Sequence, residues 1–416
     1  MKTVVIGLTD LAEHNSGFDT FFVYGRVCPR RNLEASKLVR YFLANDMKAV
    51  DDPKKADLTI IFTCGVFTTD EEHSISTIEK SLKNKNSKTI ITGCLPKIDP
   101  QRLETYDNAL IIAPENLGNL DSLIRAKVPY ESVPIVATID GIHKLYNKSI
   151  VQRLMSKVRR SATLPKASDL YANRKSRAST TDLFFAPTTY KVEIAKGCLG
   201  NCSYCAIKLA MVKFHSFPEE QIIENFKSGL KSGYKDFALV AGDIGCYGLD
   251  MKTNLPDLLK KLFALEGDFK ILLWDLNVRW LVKYYSEFRS VLEANSGKIS
   301  KIVLPIESGS DRILGLMNRG YKIKSVREKL LDLKTIPDLK IDTHIIVGFP
   351  GETEEDFQES VKLVKEIDFS ELVIFKYDDR PHTKASNLPD KVAKKIIKKR
   401  AKILVKEGNA SHTLSF

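Results

Sequence analysis

From Thr20 to about Ala126, short apolar runs alternate with stretches whose apolar residues recur at helical spacing, the pattern of a parallel sheet covered by helices. Thr20–Tyr24, Leu58–Phe62, Thr89–Thr92 and Ala109–Ile112 are the predicted strands, with helices at Leu33–Ala44 and Asp70–Lys83. Residues 1–130 therefore read as a small doubly wound α/β domain, whose ligands would lie beyond the carboxyl ends of the strands. The pattern breaks over 131–185, a basic linker rich in Lys, Arg, Ser and Thr that includes Arg159-Arg160 and Arg174-Lys175-Ser176-Arg177. It resumes over 186–389 with strands at Lys191–Ala195, Phe237–Ala241, Lys270–Trp274, Lys301–Pro305, Ile341–Val347 and Leu372–Tyr377. Six strand-helix units predict a partial barrel, with its chemistry where strands end and loops begin. Residues 390–416 hold a last amphipathic helix, apolar at Val392, Ile396, Ile397, Ala401, Leu404 and Val405, expected to pack on its own domain, and then a tail.

At 416 residues and 43% hydrophobic content the chain can bury a full core, in two or three domains. No run approaches the roughly 18 apolar residues of a membrane span, and the opening Met-Lys-Thr-Val-Val-Ile-Gly-Leu meets Thr9 and Asp10 rather than a cleavage site. No membrane association is expected. Seven scattered cysteines, an odd number, suit a reducing cytoplasm better than a disulfide framework. A net charge of +12 fits either a polyanionic partner or a lysine-rich solvated surface.

Lys196-Gly197-Cys198-Leu199-Gly200-Asn201-Cys202-Ser203-Tyr204-Cys205 sets three thiols at CxxxCxxC spacing just after a strand. So tight a loop can converge three thiolates on one iron-sulfur cube, leaving one iron open. Zinc is the competing reading; it prefers four ligands, and the closest further candidates are Cys246 and His215.

The spacing resembles the radical S-adenosylmethionine (SAM) superfamily, in which the open iron chelates SAM and cleaves it to a 5′-deoxyadenosyl radical. Further motifs narrow the resemblance to the methylthiotransferases. They are Gly245-Cys246-Tyr247-Gly248-Leu249-Asp250, Leu304-Pro305-Ile306-Glu307-Ser308-Gly309-Ser310, Met317-Asn318-Arg319-Gly320-Tyr321, Ile346-Val347-Gly348-Phe349-Pro350-Gly351-Glu352-Thr353, and Tyr377 with Arg380-Pro381 and Thr383. Their form is most similar to the archaeal and eukaryotic branch acting on threonylcarbamoyladenosine in tRNA.

This resemblance implies a flavodoxin-like amino-terminal domain and a partial (βα)6 TIM barrel. It implies two 4Fe-4S clusters, one on Cys198, Cys202 and Cys205 and an auxiliary one on Cys28, Cys64 and Cys94. By themselves, three cysteines at separate strand ends are more often unrelated core residues. SAM would lie against Tyr204, Gly242, Asp243, Glu307 and Ser308, with Asp243 meeting its amino group. The implied reaction inserts a methylthio group at an unactivated C–H bond, using one SAM as methyl donor and another as radical source. The electron would come from a reductant such as a flavodoxin or ferredoxin.

The chain departs from the family at Phe62, where Asn is usual, at Asn32, which lies one residue further from Cys28, at Glu307, where Gln is usual, and at Asp378, Asp379 and His382. Family members also end in a small RNA-gripping β-barrel, the TRAM domain, which this sequence is expected to lack. The substrate expectation is therefore tRNA first, with a protein, peptide or small molecule as alternatives. A non-catalytic iron-sulfur sensor that binds RNA is the alternative from another class.

Overall fold

The computed structural model describes residues 17–24, 28–135, 188–408 and 412–415. The expected linker from residue 136 onward, including both arginine clusters, lies outside them. The chain divides into two compact units, each with its own parallel sheet; Arg380–His382 group with the first.

In the first unit, strands β1 (Thr20–Tyr24), β2 (Lys48–Ala49), β3 (Leu58–Thr63), β4 (Lys88–Gly93) and β5 (Ala109–Ile111) lie in the order β2-β1-β3-β4-β5, all parallel. This is the flavodoxin-like order, with its reversal point between β1 and β3. All six residues of β3 are buried, because a central parallel strand is covered on both faces. Ile60 packs with Leu38, Tyr41 and Phe42 of helix α1 (Pro29–Ala44), whereas Ile61 packs with Ile75 and Ile78 of α2 (Thr68–Leu82). Neighbouring residues thus serve opposite layers. Helix α1 starts four residues earlier than expected, since Pro29 fits a first helical position that needs no N–H. Two short helices follow, α3 (Leu95–Ile98) and α4 (Leu120–Leu123).

In the second unit, β6 (Thr189–Glu193) leads into a two-stranded antiparallel ribbon of β7 (Ala195–Lys196) and β8 (His215–Ser216). The expected single strand Lys191–Ala195 is therefore divided between two sheets. Then come α5 (Glu219–Lys231), β9 (Asp236–Val240), α6 (Leu255–Phe263), β10 (Lys270–Leu273), α7 (Val278–Lys283), α8 (Tyr285–Ala294), β11 (Ile299–Glu307), α9 (Asp311–Leu316), α10 (Ile323–Leu333), β12 (Ile341–Val347), α11 (Glu354–Ile367), β13 (Glu371–Lys376), α12 (Lys394–Glu407) and β14 (His412–Ser415). The sheet runs β14-β13-β12-β11-β10-β9-β6 and is parallel throughout. It carries the six expected strands and a seventh, β14, at the edge where a tail was expected.

Ile345 and Val347 of β12 pack with Phe357 and Val361 of α11 and Ile397, Ala401 and Leu404 of α12. By strand alternation Asp342, His344 and Ile346 face the other side. Each large side chain so buried contributes about 1.5–3 kcal/mol. The apolar stripe of α12 is narrower than expected: Ile396 and Val405 are exposed. Helix α11 begins with a reciprocal cap, in which Thr353 and Asp356 bond each other's backbone N–H.

Candidate functional site

Strand β7 feeds the loop Gly197–Cys205, and backbone shape draws two of its thiols, Cys198 and Cys202, together. Gly197 has φ +74°, and a Cβ there would lie 2.6 Å from the Val212 carbonyl oxygen. The Gly200 N–H donates to Cys198 Sγ at 3.1 Å, and a Cβ at Gly200 would meet both Cys198 Sγ (3.1 Å) and Cys202 Sγ (3.8 Å). Two sulfurs therefore share a hollow that only glycine leaves open. Cys205 N–H bonds Cys202 O at 3.2 Å, and both of these sulfurs act electrostatically on Tyr204.

The turn after α9 holds this loop in place. Ser203 N–H donates to Met317 O (3.0 Å), Ser203 Oγ to Leu316 O (2.7 Å), and Asn318 Nδ2 to Asn201 O (2.9 Å). From the other side, Gly242 brings the end of β9 so close that a Cβ would fall 2.1 Å from Gly197 O and 3.0 Å from Cys198 Cβ. Asp243 is buried beside it. Its Oδ1 accepts from the N–H groups of Gly245 (3.0 Å) and Asn277 (3.1 Å), and its Oδ2 from Trp280 Nε1 (2.8 Å) and the Cys246 thiol (3.3 Å). Burial raises its carboxyl pKa, against the pull of those donors. Hydrogen bonding with Cys246 is the largest influence on Cys198, whose thiol is held down at about 7.

Glu307 ends β11 with φ +74°, an uncommon conformation for a residue with a side chain. Tyr204 donates to its Oε1 at 2.8 Å. The buried Arg319 ties the group together: Nη1 lies 3.3 Å from Cys202 Sγ and 3.4 Å from Tyr204 Oη, and Nη2 donates to Pro305 O at 2.5 Å. Its Nη2 is also 3.9 Å from Glu307 Oε1. Burial pushes the Glu307 carboxyl up, opposed by Arg319 and Tyr204. Tyr204, Gly242, Asp243 and Glu307 thus gather about the cysteine loop, directly or through one intermediary. The Ser308 hydroxyl is turned elsewhere, accepting from Ser310 N–H (3.1 Å) and facing Ser360 of α11 (3.4 Å). Sequence reasoning gave Arg319 and Trp280 no such roles, because neither belongs to a ligand spacing. An aromatic group also faces away from α11 and α12: His344 packs edge-on to Trp274 (6.2 Å) and Phe375 (5.3 Å), and burial lowers its pKa to about 4.

The first unit has its own thiol trio. Cys28 caps α1, Cys64 follows β3 and Cys94 follows β4, so all three lie at one edge of the sheet, at its reversal point. Gly93, with φ +99°, lets β4 press on β3: a Cβ would fall 2.4 Å from Thr63 O. Burial, the largest cause, raises the Cys64 thiol to about 12, with Cys94, Asp70 and Cys28 adding to it. Burial and Cys28 raise Cys94, against the charge of Arg31, whose Nε donates to Cys94 Sγ at 3.4 Å. Glu34 anchors the same guanidinium at 2.5 Å. Cys64 and Cys94, which burial keeps protonated, become thiolates when a cation joins them, so this donor set suits a cluster. Phe62 is buried in the core against α1, and Asn32 lies in the first turn of that helix with its N–H on Cys28 O at 2.9 Å.

Comparison with known proteins follows the same division. Residues 192–364 match the Radical SAM superfamily, and residues 21–113 match the Uncharacterized protein family UPF0004. A probable threonylcarbamoyladenosine tRNA methylthiotransferase of Archaeoglobus fulgidus is 30% identical over 364 residues, 86% of this chain and 76% of the relative. The ribosomal protein uS12 methylthiotransferase RimO of Clostridium tetani is 31% identical over 369 residues, 86% of this chain and 74% of the relative. Among solved structures, the radical SAM methyltransferase TsrM of Kitasatospora setae, with cobalamin and a 4Fe-4S cluster bound, superposes with a TM-score of 0.58. It is 14% identical and covers 88% of this chain and 77% of that one, a likeness of fold.

Proposed function

Because the chain belongs to the radical SAM methylthiotransferase family, we propose that it inserts a methylthio group at an unactivated C–H bond of a modified adenosine in tRNA. The observation that carries the reading is the pairing of two thiol trios, one in each compact unit, with relatives named for this reaction. Cys198, Cys202 and Cys205 hold the SAM-cleaving 4Fe-4S cluster, and Cys28, Cys64 and Cys94 hold the auxiliary one. Bound there, a cluster with one iron free of thiolate supplies the electron that cleaves SAM and makes the radical.

The chain's own residues position and shield. Gly242 gives SAM a close backbone approach to the loop, while Asp243 offers Oδ2 to its amino group in place of the Cys246 thiol. Tyr204 and Glu307 form the opposite wall, with Ser308 fixing the Glu307 turn from behind. Arg319 holds positive charge against Cys202. No general base is required, since an unactivated C–H bond carries no acidic proton; His344, kept neutral by burial, is suited to a dry wall. The electron comes from a reductant such as a flavodoxin or ferredoxin, and the proposed location is the cytoplasm. Among the described residues no helix is long and apolar enough to cross a membrane.

The net charge of +12 is compatible with the polyanionic substrate. The RimO relative favours one second reading, a ribosomal protein substrate. Mass spectrometry of tRNA nucleosides and of ribosomal proteins, in strains with and without the gene, separates the two. Loss of a methylthio nucleoside supports tRNA; an unchanged nucleoside pool with loss of a protein methylthio group overturns it in favour of the second reading.

A further inference from the structure

Cys246 is the seventh thiol, and neither trio includes it. It is wholly buried, on the turn after β9. Its Sγ lies 3.3 Å from Asp243 Oδ2, and the ligand atoms of Cys198, Asp243 and Cys246 all fall within 4.8 Å of one another. A tetrahedral zinc ion, with Zn–S of about 2.3 Å and Zn–O of about 2.0–2.2 Å, needs ligand atoms some 3.4–3.8 Å apart, within small side-chain movements of this arrangement. Thiolates on separate corners of a four-iron cube stand further apart, so this group suits a single ion.

Its surroundings are those of a metal site. A ligating carboxylate works best when other donors fix it, and Asp243 is fixed by the Gly245 and Asn277 N–H groups and the Trp280 indole. The Cys198 sulfur also receives the Gly200 backbone N–H at 3.1 Å. Arg279 offsets part of the negative charge that two thiolates and a carboxylate bring to one divalent ion.

We propose that in the cluster-free protein Cys198, Asp243 and Cys246 bind one zinc ion, with water in the fourth position, and that this ion competes with iron-sulfur assembly on the Cys198 loop. Both the ion and the cluster use Cys198, so they exclude each other. Competition rests on the cluster assignment above; zinc binding does not.

The test is zinc titration of full-length cluster-free protein against a chromophoric chelator. C246A is expected to bind one zinc fewer than the parent, D243N to bind that zinc at least tenfold more weakly, and C205A to keep it. Cobalt in the unsubstituted protein gives a readout that needs no variant to fold: at this site its charge-transfer absorption corresponds to two thiolates. Preloading one zinc should lower iron uptake during anaerobic reconstitution of the parent but not of C246A. Unchanged zinc binding in C246A, or loss of that zinc in C205A with a three-thiolate cobalt spectrum, overturns the site. Zinc bound as described without any effect on iron uptake overturns the competition alone.

Discussion

Replacing Gly242 by Ala puts a methyl group where the cysteine loop leaves no room for one. The new Cβ would lie 2.1 Å from Gly197 O, 2.8 Å from Gly197 C and 3.0 Å from Cys198 Cβ. The first two obstacles are backbone, so no side chain can swing aside. Non-bonded atoms sit comfortably at about 3.5 Å, so the end of β9 and the Gly197-Cys198 segment must part by roughly 1 Å or more. Overpacking of this kind costs about 1–3 kcal/mol of stability. A displacement of about 1 Å at a reacting centre costs on the order of 100-fold in rate. G242A should therefore lose about 1–3 kcal/mol in urea unfolding, and cleave SAM to 5′-deoxyadenosine about 100-fold more slowly under anaerobic reducing conditions. Gly315, on α9, is the control: an added Cβ meets nothing within 4 Å. G315A should gain about 0.5–1 kcal/mol from reduced freedom of the unfolded chain and keep full cleavage. A G242A protein matching the parent in both assays would refute the claim that this glycine sets the spacing between strand end and loop.

Anaerobically reconstituted protein should hold about eight irons per chain, and about four once Cys198, Cys202 and Cys205 are all Ala; four irons in the parent would remove the auxiliary cluster. R319M should cost about 3–5 kcal/mol in urea unfolding, because Glu307 is left as a buried unpaired carboxylate, and adding E307Q should restore much of that. No loss in R319M, or no recovery in the double variant, would show that the pair is not coupled. His344 has a depressed pKa in the folded protein, about 4 against an ordinary 6.5, so the unfolded chain takes up its proton first as pH falls. Its contribution is intact above pH 6.5 and lost on the way down to pH 4, up to about 3 kcal/mol in all. H344Q should flatten stability between those pH values, and an unaltered slope would contradict the assignment.

Hydrophobic periodicity located the central strands to within a residue or two because their burial is written continuously, as in Leu58–Thr63 and Ile341–Val347. It missed Lys48–Ala49 and the ribbon of Ala195–Lys196 with His215–Ser216, since two residues cannot display a period and their pairing is set by the strands beside them. The cysteine loop was legible from spacing alone. Arg319 was not, since its side chain reaches Cys202 across 117 positions and no local pattern encodes that. Cys246 was visible as a nearby thiol and as part of the Gly245–Asp250 motif; its approach to Asp243 depends on the turn after β9. Ser308 carried a motif signal that reflects the packing of its loop on α11 as well as any ligand.

The two thiol trios differ in how much chain must be arranged before each can exist. Cys198, Cys202 and Cys205 fall within eight consecutive residues, so little loop closure stands between a nascent segment and its metal. Cys28, Cys64 and Cys94 follow three separate strands and come to the same end of the sheet only after β1, β3 and β4 have paired. Although the flavodoxin-like unit leaves the ribosome first, the proposed centre on its three cysteines would await a finished sheet, whereas one on the later loop could take up iron while the chain is still incompletely folded.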